Sequence, residues 1–209
     1  MEISHSLETM LDALKHASAV LRDADVPFLL AGSFAAWALG GPPPHKDLDF
    51  MVRPADAERA LQALAAGGLQ TARPPEEWLY KAWCDGVTID LIFSPTGLQL
   101  DDAVFERATC IPVMAVTTRV MAIDDVLVTK LGALNEHALD YTSLLGIVRA
   151  LREQIDWRAL EARTGHSPYA RAFFTLVREL GVAPANPAAH TAAAATPARV
   201  RVLPAIERG

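Results

Sequence analysis

Apolar positions recur at helical spacing from Ser6 to Leu21, and the chain then changes register into Phe28-Leu29-Leu30, three consecutive apolar residues that read as a short buried strand. Gly32-Ser33 breaks that run. Phe34-Ala35-Ala36-Trp37-Ala38-Leu39 follows, enough for about two helical turns before Gly40-Gly41, with Ser33 expected as the helix cap. After the loop Pro42-Pro43-Pro44-His45-Lys46, the segment Asp47-Leu48-Asp49-Phe50-Met51-Val52 alternates polar and apolar, the pattern of a half-buried strand. Pro54 opens a helix through Ala66, and Gly67-Gly68 ends it. Trp78 to Cys84 and Val87 to Phe93 flank Asp85-Gly86, which predicts a hairpin, and Ile111 to Val116 reads as one further strand. Beyond it only helical spacing remains: from Asp124 or Asp125 through Leu134, Tyr141 to Leu151, Trp157 to Arg163, and Pro168 to Leu180, closed by Gly181.

This order predicts an α+β fold. A sheet-bearing domain over 1–118 is followed by a helical domain over 119–182 and an Ala/Pro-rich tail over 183–209 whose small side chains bury too little to repay ordering.

The chemistry concentrates in the first part. In an extended strand Asp47 and Asp49 share one face while Leu48 and Phe50 take the other. Two such carboxylates repel and resist desolvation unless a cation sits between them, and an all-oxygen site suits Mg²⁺. Asp90 is the one charge in an apolar strand, where an ionised group needs a partner. Strand pairing would bring it to Asp47 and Asp49, although Lys46, Lys81 or Arg53 would also satisfy it. Gly32-Ser33 opening a helix offers free backbone N–H groups to a phosphate, or simply caps that helix.

The joint pattern Gly32-Ser33, Asp47-x-Asp49 and a distant Asp90 resembles the polymerase-beta-like nucleotidyltransferase superfamily, and the chain as a whole is similar to the AbiEii/MenT nucleotidyltransferase toxins. The likeness extends to Lys130-Leu131-Gly132-Ala133 and to Asp140-Tyr141-Thr142-Ser143-Leu144, and covers about the first 180 residues. The resemblance implies a nucleotidyltransferase core with a short mixed sheet and flanking helices, then a C-terminal helical domain. It implies that Asp47, Asp49 and Asp90 hold two Mg²⁺ ions with a nucleoside triphosphate, and that Asp90 helps to activate the acceptor hydroxyl. Gly32, Ser33 and Lys130 would meet the phosphates, with Asp140 as the active-site partner of Lys130. Pro43 and His45 stand where members carry an Arg and a Thr or Ser, and Lys46 would supply the cation there. The implied activity is a toxin that transfers nucleoside monophosphate to a tRNA 3' end, blocking translation, with a cognate antitoxin protein as its partner.

Composition narrows the setting. An apolar content of 51% argues for a folded chain, and no stretch approaches the ~18–20 continuous apolar residues of a membrane span. The start Met1-Glu2-Ile3-Ser4-His5 lacks the order of a secretion signal, so a cytoplasmic protein is expected. Cys84 and Cys110 have no ligand spacing and read as reduced core residues. Residues 1–118 carry twice as many acidic as basic side chains, whereas 119–182 are balanced, so Arg149, Arg152, Arg158, Arg163, Arg171 and Arg178 are the candidates for RNA phosphates. The same arginines suit the solvated faces of amphipathic helices. Two further functions compete with the toxin: nucleotidyl transfer to a small molecule such as an aminoglycoside or to a protein hydroxyl, and a catalytically silent binding protein.

Overall fold

The computed structural model describes residues 7–44, 47–114 and 116–184. In chain order the elements are α1 (Leu7–Asp23), β1 (Phe28–Leu30), α2 (Gly32–Ala38), β2 (Leu48–Val52), a 3₁₀ turn (Pro54–Asp56) running into α3 (Ala57–Ala66), β3 (Gln70–Ala72), β4 (Leu79–Cys84), β5 (Val87–Ile92), α4 (Asp102–Arg107), β6 (Thr109–Val113), β7 (Val116–Val120), α5 (Ile123–Gly132), α6 (Tyr141–Leu151), a second 3₁₀ turn (Arg152–Gln154), α7 (Trp157–Thr164) and α8 (Pro168–Glu179).

The seven strands form one mixed sheet in the order β3-β4-β5-β2-β1-β7-β6. Its two parallel pairs, β2 with β5 and β1 with β7, lie inside, and antiparallel pairs flank them. Along β2 and β5 the alternation seen in the sequence becomes a division of faces. Leu48, Phe50 and Val52, with Val87, Ile89 and Leu91, are buried, and Phe28 meets Phe50 edge to face at 5.2 Å between ring centres. Helices α1 and α3 pack against each other and against this part of the sheet. Asp49, Asp90 and Lys81 lie at alternate positions to those core residues, only partly covered.

The expected α+β architecture is therefore present, with helices following the last strand. The differences are local. β3 and α4 each span too few residues to give a periodic signal, and the strand expected at 111–116 is a hairpin, β6 and β7, between which Met114 adopts a left-handed φ of 55°. Because Val120 of β7 pairs with Leu30 of β1, the sheet continues two residues past the expected boundary at 118. Cys110 is exposed, not part of the core; Cys84 is buried. The edge position of β6 explains this, since one side of that strand has no neighbour to bury it.

Helix α5 packs on α2 as well as on α6, α7 and α8, so it links the sheet layer to the last helices. An ion cluster reinforces the joint. The fully buried Asp125 of α5 accepts from Arg107 of α4 at 2.9 and 3.1 Å and from Arg163 of α7 at 2.6 Å. Three elements distant in sequence are thereby tied at one carboxylate. Among the described residues no helix is long and apolar enough to cross a membrane. The expected loose tail lies almost wholly outside the described residues, as do His45 and Lys46.

Candidate active site

Asp49 and Asp90 are direct partners across the parallel pair β2–β5, and Lys81 is the direct partner of Asp90 across the antiparallel pair β4–β5. Side chains at paired positions point to the same face of a sheet, so Asp49, Asp90 and Lys81 form a row across three adjacent strands. Lys81 Nζ donates to Asp90 Oδ1 at 2.6 Å. Among the described residues Lys81, and not Arg53, is thus the cation bound to Asp90. Arg53 instead binds Asp102 at 2.7 Å and stacks over the Phe105 ring at 3.9 Å.

Asp49 is held from the other side by the start of α2. The Ala31 N–H donates to the Asp49 carbonyl oxygen at 2.8 Å, and a Cβ on Gly32 would stand 1.8 Å from Asp49 Oδ2. Gly32 also has a φ of 57°, which a side chain would strain. The glycine is therefore required twice, by its backbone and by the carboxylate lying where its side chain would be. Ser33 does not cap the helix. The first helical hydrogen bond runs from Ala35 N–H to the Ala31 carbonyl at 3.0 Å, which makes Ala31 the cap and leaves Ser33 within the first turn.

Burial drives the Asp49 carboxyl from its ordinary 3.8 up to about 7, opposed by the positive charge of Lys130 and assisted by Asp90 and Asp47. Those charges locate the remaining members. Asp47 and Lys130 both act on Asp49, the latter from the last turn of α5, as does Lys81. Asp140 is not among the charges acting on Asp49; it is the N-cap of α6, accepting from the Ser143 N–H at 3.1 Å. Lys46 lies outside the described residues.

Among the described residues, Asp49 thus feels two other carboxylates and two ammonium groups in a partly dehydrated site. Among the described residues no three His, Cys, Asp or Glu side chains converge closely enough to hold a metal ion as they stand. The donor set nevertheless fits a hard divalent cation, because it is all oxygen and because the burial that disfavours a charged Asp49 is what a cation would offset.

Of the six arginines considered for RNA, four make internal bonds. Arg163 holds Asp125, Arg178 pairs with Glu161, Arg152 with Glu153, and Arg171 donates to the carbonyls of Gly165 and His166. Near β4, Tyr80 packs against Phe93 at 4.8 Å between ring centres, whereas Trp78 is exposed.

No protein-family model matches the chain, and no curated protein matches it by sequence. Solved structures do. The antibiotic-resistance factor ANT(2'')-Ia in solution superposes with a TM-score of 0.60 at 9% identity, covering 83% of this chain and 97% of that one. A crystal structure of ANT(2'')-Ia in complex with adenylyl-2''-tobramycin gives 0.55 at 13% identity, over 80% of this chain and 98% of that one.

The chain has the nucleotidyltransferase fold.

Proposed function

We propose that the protein transfers a nucleoside monophosphate from a nucleoside triphosphate to an acceptor hydroxyl, releasing pyrophosphate. The observation that carries this reading is the setting of Asp49, which is pressed against a glycine at a helix start, opposite Asp90 in register and beside Lys130. A purely structural carboxylate would not be assembled at such a cost among two others.

Asp47, Asp49 and Asp90 would hold the Mg²⁺ ions, two by the family resemblance. Bound Mg²⁺ would neutralise triphosphate charge and polarise the phosphoryl oxygens. The chain's own groups do the rest. Gly32, whose side-chain space is taken by the Asp49 carboxylate, would meet a phosphate through its backbone N–H, Ser33 adds a hydroxyl in the same turn, and Lys130 with Lys46 balances the charge of the triphosphate. Asp90 accepts the proton of the acceptor hydroxyl as its oxygen bonds to the α-phosphorus and the bond to the pyrophosphate oxygen breaks. Asp140 is paired with Lys130 by the resemblance alone; its observed contact is the cap of α6.

The acceptor implied by the toxin resemblance is the 3' end of a tRNA, with an antitoxin protein as the natural partner and the cytoplasm as the setting. A second reading, transfer to a small hydroxylated molecule, is supported by two observations. Four of the arginines considered for RNA are engaged internally, and the similar ANT(2'')-Ia was solved with an adenylylated aminoglycoside.

The experiment is incubation of the purified protein with each α-labelled nucleoside triphosphate and Mg²⁺, offered total RNA in one arm and an aminoglycoside panel in the other, beside Asp49→Ala. Label entering tRNA only with the wild-type protein establishes the first reading, and label entering the drug establishes the second. Absence of transfer in both arms overturns them.

A further inference from the structure

We infer that Lys81 is a positioning residue that competes with a divalent cation for Asp90, so that metal loading of the site requires the Lys81–Asp90 bond to open. This rests on the nucleotidyl-transfer reading of the same site.

The row across the sheet supplies the argument. Lys81, Asp90 and Asp49 occupy paired positions on β4, β5 and β2, with an ammonium at one end and a carboxylate at the other. A cation shared by Asp49 and Asp90 needs oxygen atoms of both turned toward each other. Asp90 Oδ1 is instead bound to Lys81 Nζ at 2.6 Å, a charge-assisted bond between side chains that are 15% and 32% exposed. This accounts for a pair of facts that otherwise conflict: Asp47 and Asp90 both act on Asp49 through their charges, yet no trio converges at coordinating range among the described residues. Lys130 acts on Asp49 through its charge from the last turn of α5, while Lys81 stands within the row itself, bonded to Asp90. Opening the bond leaves the Lys81 ammonium at the rim of the site, where incoming phosphate offers it an equivalent partner. The pair therefore keeps Asp90 neutralised before the cation and nucleotide arrive together.

The test is Mn²⁺ binding by electron paramagnetic resonance on the whole protein, without nucleotide, for wild type, Lys81→Met, Lys81→Arg and Asp49→Asn. Thermal unfolding verifies that each variant is folded, and Lys81→Gln replaces the Met variant if that one is not. The expected result is Mn²⁺ binding about tenfold tighter in Lys81→Met, the lower end of what one opposite charge at this range does to a carboxylate, with wild-type affinity or weaker in Lys81→Arg and loss in Asp49→Asn. Equal or weaker binding in Lys81→Met, with binding still lost in Asp49→Asn, overturns the role of Lys81 and leaves the nucleotidyl-transfer reading intact. Mn²⁺ binding indifferent to Asp49→Asn, or absent in wild type and Lys81→Met alike, overturns the inference together with the metal assignment beneath it.

Discussion

The Oδ2 atom of Asp49 occupies the space that a side chain on Gly32 would need, so the start of α2 and the centre of β2 are fitted to each other at a single atom. The fit places the helix start directly beside the carboxylate row.

Gly32→Ala tests that fit. The left-handed backbone alone costs about 1–2 kcal/mol, and the displaced Asp49 carboxylate adds to it. The expected outcome is a lowered Tm and loss of nucleotidyl transfer even at temperatures where the variant is folded, read by calorimetry and by the label-transfer assay.

Protonation of Asp49 gives a pH dependence with a definite sign. The carboxyl titrates near 3.8 when unfolded and at about 7 when folded without a cation, so between these values the folded state alone holds the proton. Stability therefore falls as pH rises through that window and levels off above it. Unfolding of the metal-free protein followed from pH 4 to 8 should show the decline, and Asp49→Asn should flatten it. Added Mg²⁺ should raise Tm at pH 8 and have little effect at pH 5, where protons hold the site.

Lys130 should act on that same group more strongly than Lys81 does. Its charge opposes the rise in the Asp49 pKa, so Lys130→Met should extend the pH-dependent decline to higher pH. Transfer activity should fall by about 10²-fold through lost neutralisation of the triphosphate, measured as kcat/KM for the nucleotide.

Asp125 is a structural counterpart to the active carboxylates. Asp125→Asn leaves Arg107 and Arg163 without their shared acceptor. Because both arginines are partly exposed and can rehydrate, the loss should be about 2–3 kcal/mol, below the ~3–5 kcal/mol of a fully buried pair. Urea unfolding measures it, and activity per folded molecule should persist at low temperature.

Much of this arrangement was legible in the chain. The alternation at Asp47-Leu48-Asp49-Phe50 declares one polar and one apolar face whatever the strand pairs with, and Asp85-Gly86 fixes the β4–β5 hairpin, both residues taking left-handed φ values of 49° and 82°. Elements too short to carry a period, β3 and α4, were not legible, nor was the turn that divides β6 from β7. Ser33 shows a different limit: a good capping residue lies within the first turn because the helix already begins at Gly32, with Ala31 as its cap.

By itself the sequence determined the local pattern of the longer elements: which of those segments are strands or helices, which face of each turns to the core, and that three carboxylates lie on or beside strands. These follow from backbone periodicity and side-chain burial, which act over a few residues. Only the tertiary structure decided that Asp49 and Asp90 stand in register, that Lys81 rather than Arg53 pairs with Asp90, and that Arg163 serves Asp125. Strand order and helix docking set those distances, and electrostatic partners are chosen by distance after the chain has closed on itself.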